Sequence, residues 1–431
     1  MTEPAATERS FPVASVSEIK DNVLNWLRTF STFCFLDSHA YCTHPGSYDL
    51  LVGAGVRRSF RSAAGSALDG FMSFRSEAGG WLFGHLGYEL KDEIESLYTQ
   101  KEDRIGFPDL CFFEPEVLLR LSSGILSIQA ADPDQVYRDI RSAPTAPVVS
   151  VDYPPIRQRF SREEYLDAIR TLKSHIAKGD CYEVNFCQEF YASGVRADPF
   201  GLYRSLSAAS PNPFSAFYRT GDQWLICASP ERFLRKTGQR ILSQPIKGTT
   251  RRITDDPVAD ARELDMLRTS PKERTENIMV VDLVRNDLSR VCSAGTVQVD
   301  ELCSVYSFPQ VHHLVSTVSG TLRDGISLAD IFRATFPMGS MTGAPKVRVM
   351  QLIDTYERSR RGLFSGALGY FDPAGDFDFN VVIRSVLFNS ATGYLSYQAG
   401  SGITHSCDPE REWEECRIKA AAIERIVQRK G

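Results

Sequence analysis

Apolar side chains recur along this chain with two different periods, and each change of period marks an element. Residues 364–371, 377–388 and 394–403 carry them at strand spacing, separated by Asp372-Pro373-Ala374-Gly375-Asp376 and Asn389-Ser390-Ala391-Thr392-Gly393. Connections that short join antiparallel neighbours and cannot form a parallel crossover. The same reading holds for 214–218 and 224–228 around Thr220-Gly221-Asp222, and for 118–121 and 125–128 around Ser122-Ser123-Gly124. Helical spacing predicts helices over 161–178, about 271–290, 345–358 and 409–429. The first opens on a capping box, Ser161 with Glu164, and aligns Tyr165, Ile169, Leu172 and Ile176 on one stripe. Hairpin groups with helices between them predict an α+β protein, and no G-x-G-x-x-G follows a strand to suggest a dinucleotide fold.

One seam interrupts the pattern. Residues 142–158 carry Pro144, Pro147, Pro154 and Pro155 without an amphipathic period, which reads as a linker between regions 12–141 and 159–429, or as a long surface loop within one domain. The 431 residues are 42% hydrophobic and 24% charged, the balance of a globular protein with one large core or two. A net charge of -5 gives no reason to expect nucleic acid, and no apolar run approaches a membrane span. The start lacks a signal peptide and the ten cysteines include no C-x-x-C pair, so reduced thiols in a cytoplasm are expected.

Candidate chemistry begins with charges in apolar places. Lys247 lies in Gln244-Pro245-Ile246-Lys247-Gly248-Thr249, between a strand-like segment and a Gly-Thr turn. It is either a loop lysine facing water or a buried amine whose pKa desolvation lowers, ready to attack carbon. In 271–290, with Ser270 as N-cap and Pro271 first, Glu273 and Glu276 share a face and Glu276 stacks over Val280 and Leu283. The last helix sets Glu412, Glu415 and Lys419 beside the stripe Trp413, Cys416, Ala420, Ile423 and Val427. That is a surface Glu–Lys pair or one half of a cation site, and Glu276 with Glu415 could hold Mg²⁺, which takes one or two carboxylates plus water and an anionic substrate.

Anion-binding parts accompany them. The run Phe336–Lys346 reads as a loop feeding a helix that starts at Pro345, whose free N–H groups suit a carboxylate or phosphate. Arg384 shares a face with Val382 and Val386 at period two, and so wants a carboxylate from the protein or from a ligand. Gly400-Ser401-Gly402 offers close backbone approach. His313, within an apolar run, is either a hydrogen-bonded core residue or a proton-transfer group.

Ordered motifs from about 160 to 426 carry a family resemblance: Gly179-Asp180-Cys181-Tyr182-Glu183-Val184-Asn185, Ala228-Ser229-Pro230-Glu231-Arg232-Phe233, Pro245-Ile246-Lys247-Gly248-Thr249, Val280-Val281-Asp282-Leu283-Val284-Arg285-Asn286-Asp287 and Thr342-Gly343-Ala344-Pro345-Lys346. The chain resembles the chorismate-using enzymes, among them anthranilate, isochorismate and aminodeoxychorismate synthases. Phe35-Leu36-Asp37-Ser38 is similar to the family's tryptophan-site signature, which makes Ser38, Pro213 and Phe214 candidate tryptophan ligands. The resemblance implies a four-layer α/β/β/α fold, two packed antiparallel sheets with helices outside.

Lys247 points to the aminodeoxychorismate-forming branch, because the anthranilate and isochorismate branches typically carry alanine there. The water-using branch keeps a base lysine on the strand matching 181–190, where this chain has none. The implied roles follow. Glu231 is the acid for loss of the C4 hydroxyl, Lys247 attacks C2, and ammonia displaces it at C4. Mg²⁺ on Glu276 and Glu415 holds the ring carboxylate near Thr342, Gly343 and Ala344. Arg384 and Tyr370 take the enolpyruvyl carboxylate, and Gly248, Thr249, Gly400, Gly402 and Lys419 line the pocket. His313 matches a histidine that aids pyruvate loss in anthranilate synthase. No glutaminase segment is present, so a separate glutamine amidotransferase subunit is expected. Anthranilate synthase component I, or a non-catalytic tryptophan-binding subunit, stands as the alternative. The run Gly400–His405 and Asp37 depart from the family pattern and put tryptophan binding in question.

Overall fold

A computed structural model describes residues 6–41, 48–145 and 153–427. The middle of the proline seam, 146–152, and the expected helix end at 428–429 lie outside them. Two antiparallel sheets form the middle of the molecule. The larger, of 12 strands, runs in the order Thr7–Pro12, Ile125–Ala130, Val117–Ser122, Leu50–Ala54, Thr32–Asp37, Phe214–Thr220, Gln223–Ser229, Ser385–Asn389, Tyr394–Thr404, Glu183–Ala192, Gly343–Ala344, with Arg157–Gln158 also on Glu183–Ala192. The smaller, of 10, runs Ile246–Arg251, Val311–Thr321, Arg240–Gln244, Arg232–Thr237, Phe377–Val381, Ala367–Phe371, Leu82–Leu86, Leu110–Glu114, Arg58–Ser62, with Gln298–Ser307 also on Val311–Thr321.

Period-two alternation explains why the larger sheet is an inner layer. Phe33, Phe35, Phe217 and Ile226 point into the core beneath the helices Arg162–Ala177, Pro199–Ala209 and Pro409–Val427. Their neighbours Cys34, Ala216, Tyr218, Leu225 and Cys227 point into the core shared with the smaller sheet. A strand between two layers has no solvent face, and Glu183–Ala192 is buried at every position but Tyr191. On the far side of the smaller sheet lie Pro271–Ser289 and Leu328–Thr335, whose Val280, Val284 and Phe332 join that core. The result is helices, sheet, sheet, helices.

Strands from 12–141 and from 159–429 pair within both sheets: Asp37 lies opposite Ser215 in one, and Leu86 opposite Ala367 in the other. The seam is therefore not a boundary between separate sheets. The helix Arg162–Ala177 keeps its capping box, and Pro271–Ser289 begins on the Ser270 cap. Among the described residues no helix is long and apolar enough to cross a membrane.

Three local expectations change. The stretch 377–388 is not one strand: it breaks after Val381, Arg384 adopts φ +52, and pairing resumes at Ser385 in the other sheet. Val382 consequently faces the inter-sheet core while Val386 faces the helix-side core, so they do not share a face with Arg384. The strand expected over 364–371 starts at Ala367, because Ser365 at φ +63 turns the chain first. Pro345 is the extended cap of Lys346–Tyr356 rather than its first residue, and Gly343–Ala344 before it pairs with Glu183–Val184.

Candidate active site

The chemistry-bearing residues meet where the last strands of the two sheets face each other. Glu183 sits at the start of its strand, fixed on one side by pairing with Ala344 and on the other by Thr404. Lys247 sits on the outermost strand of the smaller sheet, and its Nζ donates to Glu183 Oε1 at 2.6 Å. The lysine side chain is 13% exposed and the glutamate 2%. A Cβ on Gly402 would lie 2.5 Å from Glu183 Oε1 and 3.1 Å from Lys247 Nζ, so only glycine leaves room for the pair. Gly248, at φ +90, lets the chain turn past Glu273 and Leu314. Asn277, buried in the helix Pro271–Ser289, reaches back to the Lys247 carbonyl at 3.4 Å and the Leu314 carbonyl at 3.2 Å.

The expected neutral amine is corrected. Burial pushes the Lys247 pKa down, but Glu183, Glu276 and Glu231 push harder, and the net shift is upward. One cation held among three carboxylates stays protonated at rest. Glu231, fully buried just before Arg232–Thr237, is raised to about 7 by desolvation, against a hydrogen bond of 2.6 Å from Ser340 Oγ and the nearby lysine. His313 is driven down to about 3 by burial and by Arg384, so its ring is neutral; Nδ1 lies 2.8 Å from Thr249 Oγ1.

The two carboxylate helices converge. Lys272 lies 3.9 Å from Glu276 and 3.6 Å from Glu412 across the gap between them. Glu276 is raised to about 7, first by desolvation, and its Oε1 is buried with no hydrogen-bond partner. Glu415 is 43% exposed and pairs with Lys419 at 2.7 Å, while Glu412 is the buried one at 2%. Among the described residues no three His, Cys, Asp or Glu side chains form a ready-made metal cage. Orphaned Glu276 Oε1 facing a second acidic helix nonetheless fits a cation that brings its own water and substrate ligands.

The remaining expected residues divide. Arg384 feels Glu415 and acts on His313, which places it on this cleft, and no hydrogen bond or ion pair holds its guanidinium among the described residues. Lys419 Nζ donates to the Gly400 carbonyl at 2.8 Å, tying the last helix to the strand beside Glu183. Thr342 contributes no free donor: its hydroxyl bonds the Met338 carbonyl and its N–H the Gly339 carbonyl. Tyr370 is not beside Arg384: it lies opposite Asp378, six residues before the arginine, while Ala367 at the other end of its strand lies opposite Val381. Its strand is also five positions from that of Lys247, about 24 Å at about 4.8 Å per strand. Its ring stands 5.5 Å from Trp81.

Ser38 and Phe214 come together through the register Asp37 opposite Ser215, with Pro213 next to them. Their strands are five and four positions from that of Glu183, about 19–24 Å, so the place is separate from the cleft. Asp37 there accepts from Lys20 Nζ at 2.6 Å and from the His39 N–H at 2.8 Å. Sequence reasoning assigned no role to Glu183, Ser340, Asn277 or Lys272. Of these, Glu183 carries a faint signal, as one of four polar side chains in a strand-like run that also holds Val184, Phe186 and Phe190.

Known proteins resemble this chain along most of its length. Aminodeoxychorismate synthase component 1 of Klebsiella aerogenes is 38% identical over 348 residues, 80% of this chain and 76% of that one. Anthranilate synthase component 1 of Thermus thermophilus is 37% identical over 362 residues, 81% of this chain and 78% of that one. The solved structure of anthranilate synthase component I from Streptococcus pneumoniae TIGR4 aligns at a TM-score of 0.75 and 26% identity, covering 88% of this chain and 93% of that chain. The family described as chorismate binding enzyme matches residues 42–425, and the chain belongs to it.

Proposed function

We propose that this chain is the synthase subunit of an aminodeoxychorismate synthase, converting chorismate and ammonia to 4-amino-4-deoxychorismate for p-aminobenzoate and folate. The observation that carries the reading is Lys247: an amine within the cleft, on Glu183 and acted on by Glu231 and Glu276. Hydroxide leaves poorly, so C4 must lose its hydroxyl as water, and a carboxyl near pKa 7 can supply that proton at neutral pH. Lys247 then forms the C2–N bond as the C4–O bond breaks. Ammonia forms the C4–N bond as the C2–N bond breaks, so one hard exchange becomes two easier ones.

Arg384, with no side-chain partner among the described residues, is suited to the enolpyruvyl carboxylate. Glu276 and Glu415 would hold Mg²⁺, which supplies charge neutralisation at the ring carboxylate. Neutral His313 keeps its bond to Thr249 and has no elimination to assist, because this product retains the enolpyruvyl group. Ammonia is mostly ammonium near neutral pH, which favours a separate glutamine amidotransferase as partner and a cytoplasmic setting. The tryptophan reading of Ser38, Pro213 and Phe214 is weaker, because Lys20 already neutralises Asp37 there.

Anthranilate formation is the competing reading, since a relative of that name is about as similar. Product identity decides. Purified protein with chorismate, Mg²⁺ and ammonium should yield aminodeoxychorismate, chelation should stop turnover, and glutamine should replace ammonium only when a glutaminase is added. Anthranilate as the main product would overturn the proposal.

A further inference from the structure

Lys247 is protonated where the proposed chemistry needs a free electron pair, so something in the cleft must take its proton. Five carboxylates act on it or feel it: Glu183 from the strand Glu183–Ala192, Glu231 from the turn before Arg232–Thr237, Glu273 and Glu276 from the helix Pro271–Ser289, and Glu415 from the last helix. Only Glu183 makes a direct contact, at 2.6 Å. Glu231 is committed as an acid, and Glu276 and Glu415 face the cation gap.

Glu183 does not behave as a structural ion. Its Oε2 is buried and accepts no hydrogen bond, whereas a carboxylate that merely holds the fold uses both oxygens. Its backbone is clamped by pairing on both sides, and the missing Cβ of Gly402 keeps Oε1 against Nζ. We propose that Glu183 is the proton acceptor that frees the Lys247 amine for attack. This inference rests on the proposed amination.

The proton count closes. The Nζ–H bond of Lys247 breaks and an O–H bond forms on Glu183 Oε1, leaving a neutral pair that costs less to bury than two ions. Lys247 bonds C2 while the C4 oxygen leaves as water with the Glu231 proton. When ammonia bonds C4, Lys247 departs as a neutral amine and recovers its proton from Glu183. Glu183 therefore ends each cycle as it began, and the net proton consumed is the one Glu231 takes from solvent.

The test is ammonium-driven turnover in Glu183→Gln and Glu183→Ala proteins. Glu183→Gln keeps the shape but accepts no proton: kcat should fall about 100-fold or more, with the chorismate KM within about threefold. Glu183→Ala should be equally slow and should recover with added formate in a saturable way, while Lys247→Ala should ignore formate. A merely structural carboxylate would not give formate rescue. Glu183→Gln turnover within about threefold of the parent overturns the inference. So does a Glu183→Ala protein that melts and binds chorismate like the parent yet stays unresponsive to formate. Should the parent chain itself make anthranilate, the amination reading fails, whatever Glu183 does.

Discussion

Two arginines set into the interior have opposite surroundings. Arg361 has every donor used. Its Nε and Nη2 bond Glu357 at 3.0 and 2.6 Å, Nη2 also reaches the Asn185 carbonyl at 2.8 Å, and Nη1 reaches the Met341 carbonyl at 2.7 Å and Ser365 at 3.3 Å. Glu357 is completed by the Cys187 N–H. Arg384, by contrast, is half-buried with no side-chain partner among the described residues, sits at φ +52, and is pulled below its usual pKa by desolvation. A buried charge that the protein satisfies holds elements together, whereas one left open is paid for by something that binds. The same contrast separates Glu357 from Glu183 and Glu276, each of which keeps an orphaned oxygen.

The sharpest way to break this comparison is to delete both cations and ask what each loss damages. Arg361→Met leaves Glu357 and two backbone carbonyls buried without their partner, and should destabilise the fold by about 3–5 kcal/mol in denaturant unfolding. A loss under about 1 kcal/mol would mean the network is ornamental.

Arg384→Met should do the reverse. Removing an unpaired, desolvated charge leaves stability within about 1 kcal/mol of the parent, since no bond is lost. Chorismate kcat/KM should fall about 100-fold, as expected when one member of a ligand-facing charge pair is cut away. Unchanged kinetics with lowered stability would place Arg384 with Arg361, as scaffold.

The comparison also marks what could be read in advance. Hairpins, the capping box and the two carboxylate helices were legible because turn length, cap chemistry and helical spacing are local. Period two through Val382–Val386 predicts a shared face for Arg384, but the chain makes a left-handed turn at the arginine, which residue types do not reveal. The residue remains of interest for its missing partner. Tyr370 pairs with Asp378 rather than standing by Arg384, and four strands lie between its strand and that of Lys247, because register and strand order are long-range properties. Burial alone would strip the Lys247 proton, one of the two readings its sequence context allows. Its charge is instead set by Glu183, Glu231 and Glu276, which arrive from three distant segments.

A finer contrast lies within the cleft, between Glu183, which we assign as base, and Glu231, which is held as acid. Glu231 works in its protonated form, and its pKa stands at about 7, so kcat should fall tenfold per unit of pH above that value. Burial raises this pKa, and the Ser340 hydroxyl, donating to Oε1 at 2.6 Å, opposes the rise by stabilising the charged form. Ser340→Ala removes that bond, so the carboxyl should keep its proton to higher pH, by up to about one unit for a bond worth about 1 kcal/mol. The alkaline limb of the kcat profile should then move upward, and at pH 8 the variant should turn over faster than the parent. Loss of a hydroxyl from an active site rarely helps, so the direction is diagnostic. A limb that stays in place, or moves to lower pH, would show that Glu231 is not the group whose protonation limits the rate.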